Sequence, residues 1–251
     1  VREMNLKSIY KYGSPPHYFK LSLQLEYWLL GSGVILILIG MVGGLFIAPP
    51  DYQMGDAFRI IYFHVPSAYL SMSGYACMAV ASVIGLVWRS NVAFSIAKTI
   101  APVGAAFTFL ALVTGMLWGK PMWGTAWVWD ARLTSELILL LIYLAYILLH
   151  QSIEDRSKAD RSSSLLALVG VINLPIIHYS VVWWNTLHQG STISKFDSPS
   201  IASEMLWPLI FMIFGYTIFF VGVVCRGSAG EVLIREKRSK WVRAFIEGIK
   251  S

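Results

Sequence analysis

The stretch Trp118-Gly119-Lys120-Pro121-Met122-Trp123-Gly124-Thr125-Ala126-Trp127-Val128-Trp129-Asp130-Ala131-Arg132-Leu133-Thr134 carries four tryptophans, two glycines and three charged side chains between two long apolar runs. This composition predicts a loop, residues 118–134, at a membrane surface and not a membrane span. An aromatic belt at the headgroups needs only one or two tryptophans per helix end, and glycines let the backbone approach a partner closely. We therefore interpret the loop as a binding surface for something flat and apolar, in preference to a belt.

The runs on either side of this loop predict an all-α, polytopic integral membrane protein. Hydrophobic residues make up 56% of the 251 and charged residues only 14%, which is far from the composition of soluble domains. A helix needs roughly 20 apolar residues to cross the bilayer core, and six runs qualify. Because they leave little chain over, we expect a single membrane domain, 1–251. The predicted spans are Trp28–Ala48, Pro66–Val87, Thr99–Leu117, Leu133–Leu149, Leu165–Trp184 and Ser203–Cys225.

The distribution of lysine and arginine predicts the orientation. If the N-terminus is cytoplasmic, 16 of the 20 basic residues fall in cytoplasmic segments, as the positive-inside rule requires. Both termini are then cytoplasmic and the tryptophan loop lies outside. The net charge of +6 is explained by this bias and by attraction to anionic membrane lipid. It therefore does not indicate that the protein binds nucleic acid. The basic residues left outside are Arg59, Lys120, Arg132 and Lys195.

Two histidines lie near the predicted outer membrane edge. His64 comes just before Pro66, at the predicted opening of the second span, and His188 follows the pair Trp183-Trp184. Taken singly, each is more simply an interfacial residue hydrogen-bonded to backbone. Together they flank the tryptophan loop in sequence on one face of the membrane. This arrangement favours a shared ligand site.

The chemistry that needs these groups together is that of an iron porphyrin. Such a ligand takes one imidazole on each side of the metal, aromatic faces against the macrocycle and cations for its propionates. Neutral imidazole is the ligating form, so acidification should compete with binding. Zinc fits less well, because the outer segments offer no cysteine and no clear third and fourth ligand. Arg132 and Lys120 could bind either the carboxylates of a ligand or lipid phosphate. Asp130 could belong to the binding surface or act as the N-cap of the fourth span.

Two further ionisable residues fall inside predicted spans. Glu136 lies one turn inside the outer boundary, where Arg132 is its expected i, i+4 partner. His178 lies in the outer half of the fifth span, which makes it a functional candidate, although a hydrogen bond to a neighbouring helix is the simpler interpretation.

Other sequence features exclude some chemistry. The first 27 residues lack the apolar core and cleavage site of a signal peptide, so we expect the first apolar run to stay in the membrane. Cys77 and Cys225 lie at different depths and outside any C-x-x-C-H motif, which argues against a disulfide and against covalent haem. The chain has no G-x-x-x-x-G-K-[ST] loop, so any ATP hydrolysis belongs to a separate partner.

Three motifs resemble those of the haem exporter protein C family (CcmC) of bacterial cytochrome c maturation, within the wider WWD family of haem-handling proteins. The segment 123–130 matches the pattern W-G-x-x-W-x-W-D at every fixed position. The other two matches are segments 59–66 (R-I-I-Y-F-H-V-P) and 183–191 (W-W-N-T-L-H-Q-G-S). Ala126, where the family often has another tryptophan, is a departure at a variable position. The resemblance covers almost the whole chain.

The resemblance implies a six-helix, multi-pass protein of the bacterial inner membrane that is a haem-transport subunit and not an enzyme. It would hold haem b transiently and non-covalently at the outer, periplasmic face and present it to a membrane-anchored haem chaperone (CcmE). Its partners would be a second polytopic subunit (CcmB), a small single-span subunit (CcmD) and a cytoplasmic ABC-type ATPase (CcmA). Carried over by motif, His64 and His188 would be the axial iron ligands. The other implied haem-binding residues are Trp118, Trp123, Trp127, Trp129, Asp130, Arg59 and Arg132.

Other functions stay open at this point. A membrane b-type cytochrome usually carries its histidine pairs within the helices, often at more than one depth. A haem lyase of the wider family is expected to be longer, and a transporter for another amphipath would need a charged pathway beyond Glu136 and His178. The tail, 226–251, is predicted to be a basic amphipathic cytoplasmic segment on the inner membrane surface, with contact to a cytoplasmic subunit as the alternative. Its apolar stripe is Trp241, Val242, Phe245, Ile246 and Ile249.

Overall fold

The computed structural model describes residues 13–184, 186, 188 and 201–250. These residues form helices and no β-strand, and six helical segments are long and apolar enough to cross a membrane. The all-α, six-span prediction is therefore confirmed. Lys195 and most of the 185–191 motif lie outside the described residues, as does the side chain of Ile249. The helices are α1 (Pro15–Val42), α2 (Ile61–Trp88), α3 (Asn91–Trp123), α4 (Ala131–Ser152), α5 (Arg156–Gly170), α6 (Asn173–Trp183), α7 (Ser203–Arg235) and α8 (Lys240–Lys250).

The second span begins earlier than predicted. A 3-10 turn, Asp56–Ile60, leads directly into α2 at Ile61, so His64 lies in the first turn of a helix and not in a loop. Pro66 lies inside α2, in its second turn, where its missing N–H removes one hydrogen bond of the helix. The helix nevertheless runs on without a break. The consequence is that His64 is held by a regular helix.

The tryptophan segment is also more helical than predicted. α3 continues through Trp118 to Trp123 and ends at Gly124, whose φ of 76° is left-handed and whose N–H donates to the Lys120 carbonyl. The irregular part of 118–134 is therefore only Gly124–Asp130. The predicted loop boundary at 118 is wrong, because a tryptophan-rich sequence with a good glycine C-cap extends a helix beyond its apolar core.

The fifth span is two helices and not one. α5 ends at Gly170 and α6 begins at Asn173, with a turn at Val171 and Ile172 between them. Pro175 has no N–H, so it cannot donate the hydrogen bond that would continue the helix from α5. Its pyrrolidine ring also clashes with the preceding turn of a continuous helix. The Asn173 side-chain amide donates to the Ser135 carbonyl at 2.9 Å, which ties the break to α4.

The tail is divided differently from the prediction. Residues Arg226 to Arg235 continue the sixth span as part of α7, and only α8 is a separate amphipathic helix. The α8 rings of Trp241 and Phe245 pack against Phe19, near the start of α1, at ring-centroid distances of 5.6 and 5.0 Å. The two described chain ends therefore lie at the same end of the bundle, here called the inner end. The prediction that this end is cytoplasmic stays a prediction.

The packing of the bundle pairs the first span with the last. α1 lies along α7, and it touches α3 at only a few positions. Glycines allow this close approach, because a Cβ at Gly33 would lie 2.7 Å from the Phe219 backbone nitrogen, and one at Gly215 would lie 2.8 Å from that of Ile37. α2, α3, α4 and α5 form the rest of the core.

Tyrosines join three of those helices, α2, α4 and α5, at the centre. Tyr75 and Tyr143 are fully buried and meet edge to face at 5.0 Å. Tyr75 donates to the Ala167 carbonyl at 2.9 Å and Tyr143 to the Ser71 carbonyl at 3.0 Å. Each ring thus contributes apolar area and leaves no unsatisfied hydroxyl. A rigid core of this kind fixes the outer ends of α2, α3 and α4, where the predicted site residues lie.

Candidate haem site at the outer end

His64 is held against the neighbouring helix α3 by its ring nitrogen. Its Nδ1 lies 3.1 Å from the Ala111 carbonyl oxygen and 3.1 Å from the Thr114 hydroxyl. Because a carbonyl oxygen only accepts hydrogen bonds, the geometry places the ring proton on Nδ1. In the neutral ring, Nε2 then keeps its lone pair. Metal-ligating histidines generally donate their other N–H to a carbonyl or carboxylate in this way.

Ala111, Thr114 and Gly115 were missed by the sequence interpretation. They lie on one face of α3, and the spacing A-x-x-x-G at 111–115 is the small-residue signal that could have indicated close packing there. A Cβ built on Gly115 would lie 3.1 Å from His64 Cε1. The space beside His64 is therefore set by the absence of a side chain at position 115.

The structure brings His64 and His188 together. Their ring centroids lie 6.5 Å apart, with 36° between the ring planes. Trp118 lies edge-on to His64 at 5.6 Å, and Trp123 lies 5.2 Å from His188. Two tryptophans from the last turns of α3 thus contact the two histidines that the sequence analysis paired.

The other two tryptophans, Trp127 and Trp129, lie in the irregular segment that follows α3. Trp127 and Trp129 meet edge to face at 5.3 Å, and Trp129 is 76% exposed. No ring contact joins either of them to His64 or His188 in the described part of the chain. The four tryptophans therefore form two pairs: Trp118 and Trp123 beside the histidines, and Trp127 and Trp129 in contact with each other.

Several polar atoms of the predicted site residues are buried without a hydrogen-bond partner among the described residues. They are the indole nitrogens of Trp118 and Trp127, one carboxylate oxygen (Oδ2) of Asp130 and Nδ1 of His188. Folded proteins leave few such atoms, because each costs about 1–3 kcal/mol of desolvation. That four such atoms belong to predicted site residues favours a ligand that would complete the site.

Beneath the histidines lies a small cavity of about 20 Å³, and Arg132 and Glu136 are among the residues that line it. The expected ion pair between them is not formed. Glu136 accepts a hydrogen bond from the Ser71 hydroxyl at 2.6 Å, and Arg132 Nη1 donates to the Ile177 carbonyl at 3.1 Å. The predicted ion pair is absent because both side chains form hydrogen bonds to other helices. These hydrogen bonds satisfy the two groups, so the cost of burying an ion pair is avoided.

Three predicted polar residues lie away from the histidines. Arg59 binds Asp56 at 2.8 Å through Nε and donates through Nη1 to the Gly44 carbonyl at 2.6 Å, so it ties the 3-10 turn to the end of the first span. Lys120 and His178 are exposed. The His178 ring packs against Tyr179 on α6, at a centroid distance of 4.8 Å.

The electrostatics of the site favour neutral imidazole at His188. Burial lowers the pKa of His188 to about 4, helped by the positive charge of Arg132 and opposed by the Asp130 carboxylate. At neutral pH the ring is therefore uncharged, which is the form that binds a metal. Arg132 also brings a cation to the cavity without a carboxylate paired to it.

Asp130 acts as the N-cap of α4, because its Oδ1 accepts the Leu133 N–H at 2.8 Å. We expect Asp130→Ala to lower the free energy of unfolding of the protein in detergent by about 1 kcal/mol. Asp130→Asn keeps a capping acceptor, so it should retain most of that stability. Equal losses in the two variants would contradict this assignment and indicate that the charge matters more than the cap.

Comparison with known proteins gives the family. The family model described as heme exporter protein C matches residues 8–243. The chain is 48% identical over 240 residues to the heme exporter protein C of Escherichia coli K12, covering 96% of this chain and 97% of that one. It is 44% identical over 244 residues to that of Haemophilus influenzae, covering 97% and 99%, and 38% identical over 233 residues to that of Rhodobacter capsulatus, covering 92% and 96%. With motifs, fold and full-length similarity in agreement, the chain belongs to the heme exporter protein C family.

Proposed function

We propose that this protein, a multi-pass protein of the bacterial inner membrane, handles haem for cytochrome c maturation by holding it at the outer face between His64 and His188. The observation that carries the proposal is the meeting of these two histidines from separate parts of the chain. Two imidazoles that bind one metal from opposite sides, with metal–nitrogen bonds of about 2.0–2.1 Å, have ring centroids about 6 Å apart. The observed 6.5 Å fits that spacing.

The donor set also fits haem iron. The hydrogen bond from His64 Nδ1 to Ala111 leaves Nε2 as the donor atom, and His188 is neutral at physiological pH. Trp118 and Trp123 place aromatic rings beside the two imidazoles. Aromatic pairs of this kind add about 0.5–1.5 kcal/mol each beyond burial, which suits reversible holding of a cargo.

The remaining polar groups would bind the edge of the porphyrin. Arg132 lines the cavity and is the cation best placed for a propionate, whereas Arg59 would have to leave Asp56 first. The unpartnered indole N–H groups of Trp118 and Trp127 are further donors. A cavity of about 20 Å³ is close to the space that one water needs. Haem binding therefore requires the side chains around the histidines to move aside, although the histidines already have the required spacing.

The exposed part of the site suggests how haem is passed on. Trp127 and Trp129 pack against each other without a ring contact to either histidine, and Trp129 is largely exposed. We infer that this pair meets the haem chaperone CcmE, which receives the haem b held non-covalently here. The protein would work with CcmB, CcmD and the ATPase CcmA, because the chain itself has no nucleotide-binding loop. Its role is that of a haem-transport subunit and not of an enzyme.

The proposal is tested by transfer of haem between purified proteins. The protein in detergent is loaded with haem, and its visible spectrum should be that of low-spin, bis-imidazole iron. When CcmE, CcmA, CcmB and CcmD are added with ATP, the haem should become covalently attached to CcmE. Failure to bind haem would contradict the site, whereas a loaded protein that passes no haem to CcmE would contradict the role in presentation.

A substitution beside His64 tests the packing that positions the ring. Gly115→Ala puts a methyl group 3.1 Å from His64 Cε1, so the ring must move by a few tenths of an ångström while Ala111 and Thr114 hold it. We expect haem affinity to fall on the order of tenfold, the lower end of what second-shell changes cost, as measured by spectroscopic titration. Gly31→Ala is the control, because nothing lies within 4 Å of a Cβ there. Unchanged affinity in Gly115→Ala would show that His64 is not tightly held.

A further inference from the structure

A second, larger cavity lies at the opposite, inner end of the bundle. Its volume is about 290 Å³, near the lower limit of small-molecule sites, which span roughly 300–1,000 Å³. It forms where the end of α2, the starts of α3 and α5 and the end of α7 meet. The residues that line it include four arginines and one aspartate, namely Arg89, Arg156, Arg161, Arg235 and Asp160.

The aspartate is already neutralised, so the cavity is left strongly positive. Asp160 receives two hydrogen bonds from Arg235, at 2.6 and 2.8 Å, and lies 3.0 Å from Nε2 of His150. Arg89, Arg156 and Arg161 form no ion pair with any residue that the structure describes. Three guanidinium groups therefore line one cavity without a matching anion.

Arg89 is held there at a conformational cost. Its φ of 53° makes it the only non-glycine residue with a left-handed backbone in the described part of the chain. It occupies the C-cap of α2, a position that glycine fills more cheaply. An arginine that lines the cavity thus occupies a position where the backbone favours glycine. Local strain of this kind is concentrated at functional positions.

The walls of the cavity are of two kinds. Gly85, Leu86 and Phe94, on the membrane side, are apolar or lack a side chain, whereas the arginines lie towards the inner surface. The first residues of α3 and α5, Asn91 and Arg156, also line it, and helix N-termini favour anions. A phosphate group with an apolar continuation matches both walls, and basic pockets between membrane helices bind lipid headgroups in this way.

We propose that this inner cavity binds the phosphate of an anionic phospholipid headgroup, with Arg89, Arg156 and Arg161 as its ligands. The site is independent of the outer histidines. Bound lipid would join the α2–α3 turn to the start of α5, which the Asp160–Arg235 pair already connects to α7. The protein should therefore be more stable in a bilayer that contains anionic lipid.

The test is a thermal-unfolding titration of the full chain in detergent with phosphatidylglycerol, with phosphatidylcholine as the neutral lipid. We expect the Tm to rise with phosphatidylglycerol only. In the triple variant Arg89→Gly, Arg156→Gln, Arg161→Gln, half-saturation should require at least about tenfold more lipid, because all three cationic ligands of the phosphate are removed. Arg89→Gly alone should leave the lipid-free Tm unchanged or higher, which separates lost binding from misfolding.

The matched control removes three charges at the same end of the molecule but outside the cavity. Lys237, Arg238 and Lys240 are exposed, and the variant with glutamine at all three should keep the response of the wild type. Equal losses in the two triple variants would overturn the proposal in favour of diffuse surface attraction. Absence of a Tm rise in the wild type would overturn it outright. So would an equal rise with inorganic phosphate, because the ligand would then be a free anion and not a lipid.

Discussion

Protein that carries His64→Ala or His188→Ala should lose the low-spin, bis-imidazole spectrum of the haem-loaded wild type. Its haem affinity should fall by at least about 10–100-fold, which is the usual cost of losing a residue that only supports a metal ligand. On the proposed function, each substitution would remove one of the two imidazoles that hold the haem, and no other histidine ring contacts either of them among the described residues. Absorption spectra and haem titrations of the two purified variants, beside the wild type, give the measurement.

His178→Ala provides the control for these variants. His178 is exposed on α6 and packs against Tyr179, so its loss should leave both spectrum and affinity unchanged. A low-spin spectrum that survives in His64→Ala and in His188→Ala would show that the ligands are elsewhere. A spectrum lost in the His178→Ala variant alone would assign an axial position to a residue that the structure places outside the histidine pair.

Asp160→Ala should be the most destabilising of the substitutions considered, with a loss of about 3–5 kcal/mol in the free energy of unfolding. The Asp160 carboxylate joins α5 to α7 through Arg235 and to α4 through His150. The Arg235 side chain is only 3% exposed, and without Asp160 its remaining close acid is Glu231, at 3.2 Å. A buried guanidinium would then be only partly compensated. Denaturant or thermal unfolding in detergent gives the measurement.

Two further variants separate the effect of the Asp160–Arg235 ion pair from that of side-chain packing. Glu154→Ala removes an exposed acid near the start of α5 and should change stability by less than about 0.5 kcal/mol. The double variant Asp160→Leu, Arg235→Leu should be more stable than Asp160→Ala, because apolar replacement of both partners leaves no isolated buried charge. A double variant as unstable as the sum of its single substitutions would contradict the pairing argument.

The six spans could be predicted because their apolar cores exceed the thickness of the bilayer, but their ends could not. Polar sequence does not end a helix by itself. Arg226–Arg235 stay helical because Glu231 and Arg235 find partners on α3 and α5. Trp118–Trp123 stay helical until Gly124 supplies a left-handed cap. The first extension depends on contacts between helices, and the local sequence does not contain that information.

The candidate site shows the same division. The proximity of His64 and His188 could be anticipated from topology and from the tryptophan motif, and the structure brings them together. Their role as iron ligands stays a prediction. Ala111 and Thr114 could not be identified as the partners of His64, because that contact depends on how far α2 is rotated against α3. For the same reason Arg132 was assigned to Glu136, one turn away, when its partner is the Ile177 carbonyl.

The pairing of α1 with α7 has a consequence for the order of assembly. Spans enter the membrane in sequence as the chain is synthesised, and helices associate only after insertion. α1 makes most of its contacts with α7, so the first helix to be inserted has its principal neighbour only when the last one arrives. Until then the Gly33 surface of α1 faces lipid or another protein. We expect a nascent chain halted before residue 203 to carry an α1 that is accessible to crosslinking, and completion of α7 to protect it.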